Sequence, residues 1–166
     1  MLKDLPTACD RGTQCNAQGY KVSGNGDKLH LDTADGGVPI AAVRSSASMH
    51  DSLAAIPLSR IRAGRVTNRY DLMDAAYGRA EWREHRRRPG HVPLIDHNPR
   101  RGEKIEFAPA EAVRYNERTA AERSNARLKD EFGGQTIMVK GDINVRSHLM
   151  FGVLALSADQ WMRLRQ

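Results

Sequence analysis

The feature that most constrains this chain is a run of polar residues repeating at helical spacing over residues 115–129. At about 100° per residue, four of them fall within one stripe about 60° wide: Tyr115, Arg118, Glu122 and Lys129. The opposite side of the same helix is apolar at five positions: Val113, Ala120, Ala121, Leu128 and Phe132. The pattern predicts one amphipathic helix, ended by Gly133-Gly134, that carries one carboxylate among groups suited to contact phosphate.

A simpler interpretation of this stripe stays open. Arg118 and Glu122 are four residues apart, and such pairs commonly stabilise the solvated face of a helix without any further role.

The composition narrows the class of protein. A chain of 166 residues is long enough for one domain with a core, and Lys plus Arg exceed Asp plus Glu by six. The positive balance favours a polyanionic partner such as nucleic acid. Cys9 and Cys15 have no secretory signal ahead of them, which indicates reduced thiols and a cytoplasmic protein. The longest apolar run, residues 149–156, is far below the roughly twenty residues of a membrane-spanning helix.

The first half of the chain predicts a hairpin followed by a helix. Residues 28–32 alternate polar and apolar types, an Asp-Gly-Gly turn follows, and residues 38–43 form the partner strand. The alternation predicts that Leu29 and Leu31 face the core and that Lys28, His30 and Asp32 face solvent. A helix then runs to about residue 64, capped by Ser48 or Asp51.

The second half predicts a strand over residues 69–74, a helix over 79–88, a strand over 91–96, and a final helix over 143–165. The apolar residues of that last helix are expected to be core: Val145, Leu149, Met150, Val153, Leu154, Leu156, Trp161 and Leu164. The loop after the second strand contains Arg100 and Arg101. They are candidates for a DNA-backbone contact, and a solvated surface explains them equally well.

Two carboxylates compete for a site at the end of the first of these strands. A side chain placed there, just before a turn, lies where α/β sheets carry their chemistry. Because strand residues alternate between faces, only one of Asp71 and Asp74 can share a face with the amphipathic helix.

The spacing of Tyr, Arg, Glu and Lys in that helix resembles the C-terminal signature of bacterial insertion-sequence transposases of the DDE class. The segments LHLDTADGGVPI, SASMHDS, YDLMDAAY and GHVPLID extend the resemblance over nearly the whole chain. It implies an α/β fold, a ribonuclease-H-like mixed sheet flanked by helices. It also implies that Asp74 and Glu122 are the second and third acidic residues of a catalytic site for Mg²⁺ or Mn²⁺, and that Tyr115, Arg118 and Lys129 contact DNA.

The resemblance has departures and a gap. Asp27 stands where these transposases usually carry an aromatic residue, and Gly78 where they carry an acidic one. Residues 1–26 are rich in Gly, Asn, Thr, Gln and Asp and show little periodicity, so we expect an extended or poorly ordered lead-in. No residue near the N-terminus matches the first acidic position. Residues 27–166 would form a domain whose first strand is missing.

These observations predict the C-terminal portion of a DNA transposase, catalytically incomplete alone. A complete enzyme of this kind cuts and joins mobile-element ends, possesses a metal site, and forms a homodimer in some cases; its location would be the bacterial cytoplasm, on the nucleoid. The alternative is a non-catalytic DNA-binding protein derived from a transposase.

Overall fold

The computed structural model describes residues 9–15, 18–75, 91–97 and 106–165. Within these ranges the chain forms a three-stranded sheet, a two-stranded sheet and a set of helices packed against them. The predicted helix over residues 79–88 and the arginine loop with Arg100 and Arg101 lie outside the described residues.

The first sheet is antiparallel, in the order β1-β2-β3. Its strands are β1 (Asp10–Cys15), β2 (Lys21–Thr33) and β3 (Pro39–Ser46). Strand β1 pairs with residues 21–26 of β2, and β3 pairs with residues 27–33. The turn between β2 and β3 contains Gly36 and Gly37 at φ of 79° and 77°, a conformation that side-chain-bearing residues rarely adopt. The predicted hairpin and its glycine turn are confirmed.

The face of β2 that the alternation assigned to solvent is covered. His30 is buried, and its Nε2 lies 2.8 Å from the hydroxyl of Ser45. Lys28 donates to the carbonyl of Met49, and Asp32 accepts from Arg62. The prediction was wrong for His30 because polar residues on this face pair with groups of the neighbouring turn and helix, so their polarity does not mark exposure.

Helix α1 (Ala55–Ala63) follows a 3-10 turn over Asp51–Ala54. The ring Nδ1 of His50 accepts from the amide of Ser52, so the cap is His50 and neither predicted residue. The helix packs on β3, where a small apolar core forms from Ala41, Val43, Met49, Ala54 and Leu58.

The second sheet joins two short parallel strands. Strand β4 (Tyr70–Met73) pairs with β5 (Val92–Ile95), with Tyr70 opposite Val92 and Met73 opposite Ile95. Since parallel strands end at the same edge, the residues that follow Met73 and Ile95 lie side by side.

The remaining helices are α2 (Pro109–Tyr115), α3 (Thr119–Glu131) and α4 (Asp142–Arg163). A 3-10 turn over Asn116–Arg118 joins α2 to α3. The predicted amphipathic helix is therefore present with one tightened turn. Ala120 and Leu128 are buried as predicted, whereas Val113 in α2 is exposed.

Within the described ranges, helix α4 packs along one side. Leu149, Gly152 and Leu156 are buried, and a Cβ at Gly152 would meet the carbonyl oxygen of Phe132 at 2.6 Å, so glycine permits the close approach of α4 to the end of α3. The expectation that all its apolar residues are core was wrong for three of them, because the described residues cover only this side: Leu154, Trp161 and Leu164 are exposed.

The mixed sheets and flanking helices are consistent with a ribonuclease-H-like fold. Among the helices in the described ranges, none is long and apolar enough to cross a membrane.

Candidate functional site

The ends of β4 and β5 bring two carboxylates to one edge. Asp74 directly follows β4 and Asp96 directly follows β5. The carbonyl of Met73 accepts the amide of Asp96 at 3.2 Å, which fixes the two strand ends together. Asp74 is half-buried and lines a cavity of about 640 Å³. Asp96 was overlooked in the sequence, although the rule that selected Asp74 applies equally to a carboxylate after the neighbouring strand.

Glu122 reaches this region from the first turn of α3. The helical segment begins at Pro109, whose fixed φ suits a first helical position, and the carboxylate of Glu111 accepts the amide of Ala108. It ends where Gly133 takes a φ of 73°, as the Gly-Gly signal predicted. Glu122 thus lies near the middle of a well-bounded helical segment and lines the same cavity as Asp74.

Tyr115 connects the helical segment to the strand. Its hydroxyl donates to the carbonyl of Met73 at 3.0 Å, next to Asp74, and its ring packs against Phe107 with centroids 4.8 Å apart. The side chain is half-buried. A hydrogen bond between elements 42 residues apart determines how the helix approaches the end of β4.

The pKa of Tyr115 depends on its burial and on the charged side chains around it. Burial raises the pKa of the Tyr115 phenol, and the guanidinium of Arg118 opposes this rise. The negative charges of Asp96, Asp74 and Glu122 raise the same pKa further. Three carboxylates therefore lie close enough to influence one phenol.

Glu122 is held by a neighbouring cation. Nη2 of Arg118 donates to Oε1 of Glu122 at 2.6 Å, and the guanidinium lies 5.7 Å from the centroid of the Tyr115 ring. The i, i+4 pair anticipated as the simpler interpretation of the stripe is therefore present. It lies on the wall of the cavity that Asp74 also lines.

Another part of the cavity wall, here called its buried end, contains an ion network, and the part around Arg118 and Glu122 is called its open end. Nη1 of Arg62 lies 2.7 Å from Asp71 and 2.9 Å from Asp32, linking α1 to strands β4 and β2. Asn68 also donates to Asp71. Asp71 and Asp74 both line the cavity, but Asp71 is bound to Arg62 of α1. That only one of the two carboxylates shares a face with the amphipathic helix stays a prediction.

The predicted site residues thus fall into three groups. Asp74, Arg118 and Glu122 line one cavity, and Tyr115 holds its wall in place. Lys129 is exposed further along α3 and is not among the residues that line this cavity. Arg100 and Arg101 belong to the undescribed residues.

Carboxylate oxygens are the ligands that Mg²⁺ and Mn²⁺ prefer, and Asp74 and Glu122 provide them on one cavity. In the described part of the chain, no group of three or more His, Cys, Asp or Glu side chains is arranged to hold a metal ion.

Comparison with known proteins identifies the domain. The family model described as "Transposase DDE domain" matches residues 8–158 of the 166-residue chain. No curated protein and no solved structure matches the chain significantly. The match covers most of the sequence and includes both carboxylates, the linking tyrosine and the strands that position them, so the chain belongs to the family of transposase DDE domains.

Proposed function

We propose that this domain takes part in metal-dependent cleavage and strand transfer of mobile-element DNA, with Asp74 and Glu122 as metal ligands. The observation that supports this most directly is the hydrogen bond from Tyr115 to the Met73 carbonyl. It ties the helix of Glu122 to the strand end that precedes Asp74.

The residues present suit a divalent ion, which DDE transposase domains generally use. Both ligands are hard oxygens, and the Glu122 carboxylate already holds a positive group, the guanidinium of Arg118, at 2.6 Å. Mg²⁺ commonly keeps several waters, so two protein carboxylates can form part of its shell. When bound, the ion activates the attacking oxygen and stabilises the leaving oxygen at phosphorus.

The protein's own groups would supply position and charge. Tyr115 orients the helix, and Arg118 offers a planar fork of donors that suits a phosphate. Lys129, Arg100 and Arg101 are proposed to extend the contact along the DNA backbone. Mg²⁺ as the ion and a homodimeric complete enzyme belong to the same proposal, which assigns no residue of this chain to the first acidic position.

The alternative, a non-catalytic DNA-binding protein derived from a transposase, is favoured by one observation. The guanidinium of Arg118 already neutralises the Glu122 carboxylate.

A cleavage assay with Glu122→Gln separates the two functions. Nicking of supercoiled plasmid would be followed with and without Mg²⁺, and DNA binding measured in parallel over a range of salt. Mg²⁺-dependent nicking by the wild-type chain that the variant loses, with binding retained, would support transposase chemistry. Because the chain alone is predicted to be catalytically incomplete, absence of nicking by itself fits both functions. Salt-sensitive DNA binding that Mg²⁺ does not strengthen would support the alternative, and absence of DNA binding would contradict both.

A further inference from the structure

The ion pair between Arg118 and Glu122 is accessible enough for another ion to replace one of its partners. The carboxylate is the more open partner, since its side chain is 56% exposed and that of Arg118 is 31% exposed. Arg118 is also held by the face of the Tyr115 ring, which is itself tied to Met73. The cation is therefore kept in place at the cavity, whereas the carboxylate is accessible to a competing ion.

The same two groups have competing partners in the proposed function. A divalent ion bound about 2.0–2.1 Å from a Glu122 oxygen would lie within a few Å of the guanidinium, and the two positive groups would repel each other. A DNA phosphate would compete with Glu122 for the same guanidinium donors. The guanidinium of Arg118 cannot bind the Glu122 carboxylate and a DNA phosphate equally well at the same time.

We propose that Arg118 is an exchangeable counter-ion of Glu122 that couples metal binding to DNA binding. Without ligands, Arg118 neutralises Glu122. When a phosphate engages Arg118, Glu122 is released to bind the ion, and an ion on Glu122 releases Arg118 for phosphate. The coupling is positive and, by linkage, reciprocal. This inference rests on the proposed function, because it takes Glu122 as a metal ligand.

The first arm of the test measures Mn²⁺ binding by calorimetry in the absence of DNA. Arg118→Met keeps the apolar stem of the side chain but removes the competing charge, so we expect Mn²⁺ to bind about threefold to tenfold more tightly than to wild type. Arg123→Met is the matched control. Arg123 is exposed on the same helix and bonds to Thr119, and its loss should change the affinity by less than about twofold.

The second arm measures DNA affinity in EDTA, by fluorescence anisotropy of a short labelled duplex. Glu122→Gln should release Arg118 and tighten binding about twofold to fivefold beyond the control Glu117→Gln, which removes the same charge from the same cavity. In an Arg118→Met background, Glu122→Gln should give no such gain.

The outcomes separate this inference from the function on which it rests. Equal Mn²⁺ affinity in wild type and Arg118→Met would overturn the counter-ion role while leaving the metal site intact. Equal DNA affinity in Glu122→Gln and Glu117→Gln would overturn the coupling. Absence of Mn²⁺ binding in wild type and in both arginine variants would remove the metal site and the inference together.

Discussion

The two ends of the cavity use the same kind of ion pair in different surroundings. At one end, Arg62 lies 2.7 Å from Asp71, and their side chains are 10% and 0% exposed. At the other, Arg118 lies 2.6 Å from Glu122, and both partners reach solvent. Because burial removes the competition from water, the first pair is fixed and the second can exchange. The distance between partners does not distinguish a structural pair from a functional one; burial does.

This difference also separates the two carboxylates of the β4 region. Asp71 is buried and bound to Arg62 and Asn68, whereas Asp74 is half-buried beside the Tyr115 link. Asp71 therefore stabilises the fold between α1 and β4, and Asp74 is the better candidate for a ligand.

The largest expected effect is on the buried end. Arg62→Met removes the guanidinium from the fully buried Asp71 carboxylate, and we expect unfolding free energy to fall by about 3–5 kcal/mol in urea denaturation. Arg118→Met, the same change at the open end, should cost less than about 1 kcal/mol. Similar losses in the two variants would contradict the contrast between the ends.

A smaller effect is expected at the hydrogen bond that joins Tyr115 to the Met73 carbonyl at the end of β4. Tyr115→Phe keeps the ring against Phe107 but loses the bond to Met73, which should cost about 0.5–1.5 kcal/mol and weaken Mn²⁺ binding. Ser124→Ala is the matched control, because the Ser124 hydroxyl donates to the Gly37 carbonyl from the adjoining helix α3 and takes no part in the Arg118–Glu122 pair. It should lower stability to a similar extent without changing Mn²⁺ affinity. A loss of Mn²⁺ binding in both variants would indicate a general loosening of α3.

The smallest expected effect is a pH dependence of the unfolding free energy that comes from His30 in β2. Burial lowers the pKa of His30 below its ordinary value of 6.5, the charge of Asp51 opposes this shift, and the charge of Lys28 adds to it. The unfolded chain then binds more protons than the folded one, so the stabilising contribution is complete above about pH 6.5 and is lost as the pH falls through the folded pKa. His30→Gln should flatten that part of the urea-stability profile. An unchanged acid slope would show that His30 is not its source.

Local signals in the sequence predicted much of this fold. The Asp-Gly-Gly turn, the parallel-strand segments and the Gly-Gly end of the helix depend on neighbouring residues, and all were identified. The long-range contacts that build the cavity were not identified from the sequence. The bond from Tyr115 to Met73 and the Asp32–Arg62–Asp71 network join distant segments, and no spacing rule encodes them.

The errors have a common physical source. Polarity was taken to mean exposure at His30 and apolarity to mean burial at Leu154 and Trp161. His30 is buried because Ser45 meets its ring, and the two apolar residues of α4 are exposed because the described elements pack against its other side. In each case the contacts of the residue, and not its polarity, determined whether it is buried or exposed.

The central claim is that Asp74 and Glu122 converge on one divalent ion. Calorimetric titration of Mn²⁺ into the purified chain, beside Asp74→Asn, Glu122→Gln and the cavity control Glu117→Gln, tests it most directly. The account predicts binding in wild type and in Glu117→Gln, and a loss of at least about tenfold in affinity in each of the other two. Binding that is equal in all four proteins, or absent from wild type, would contradict it.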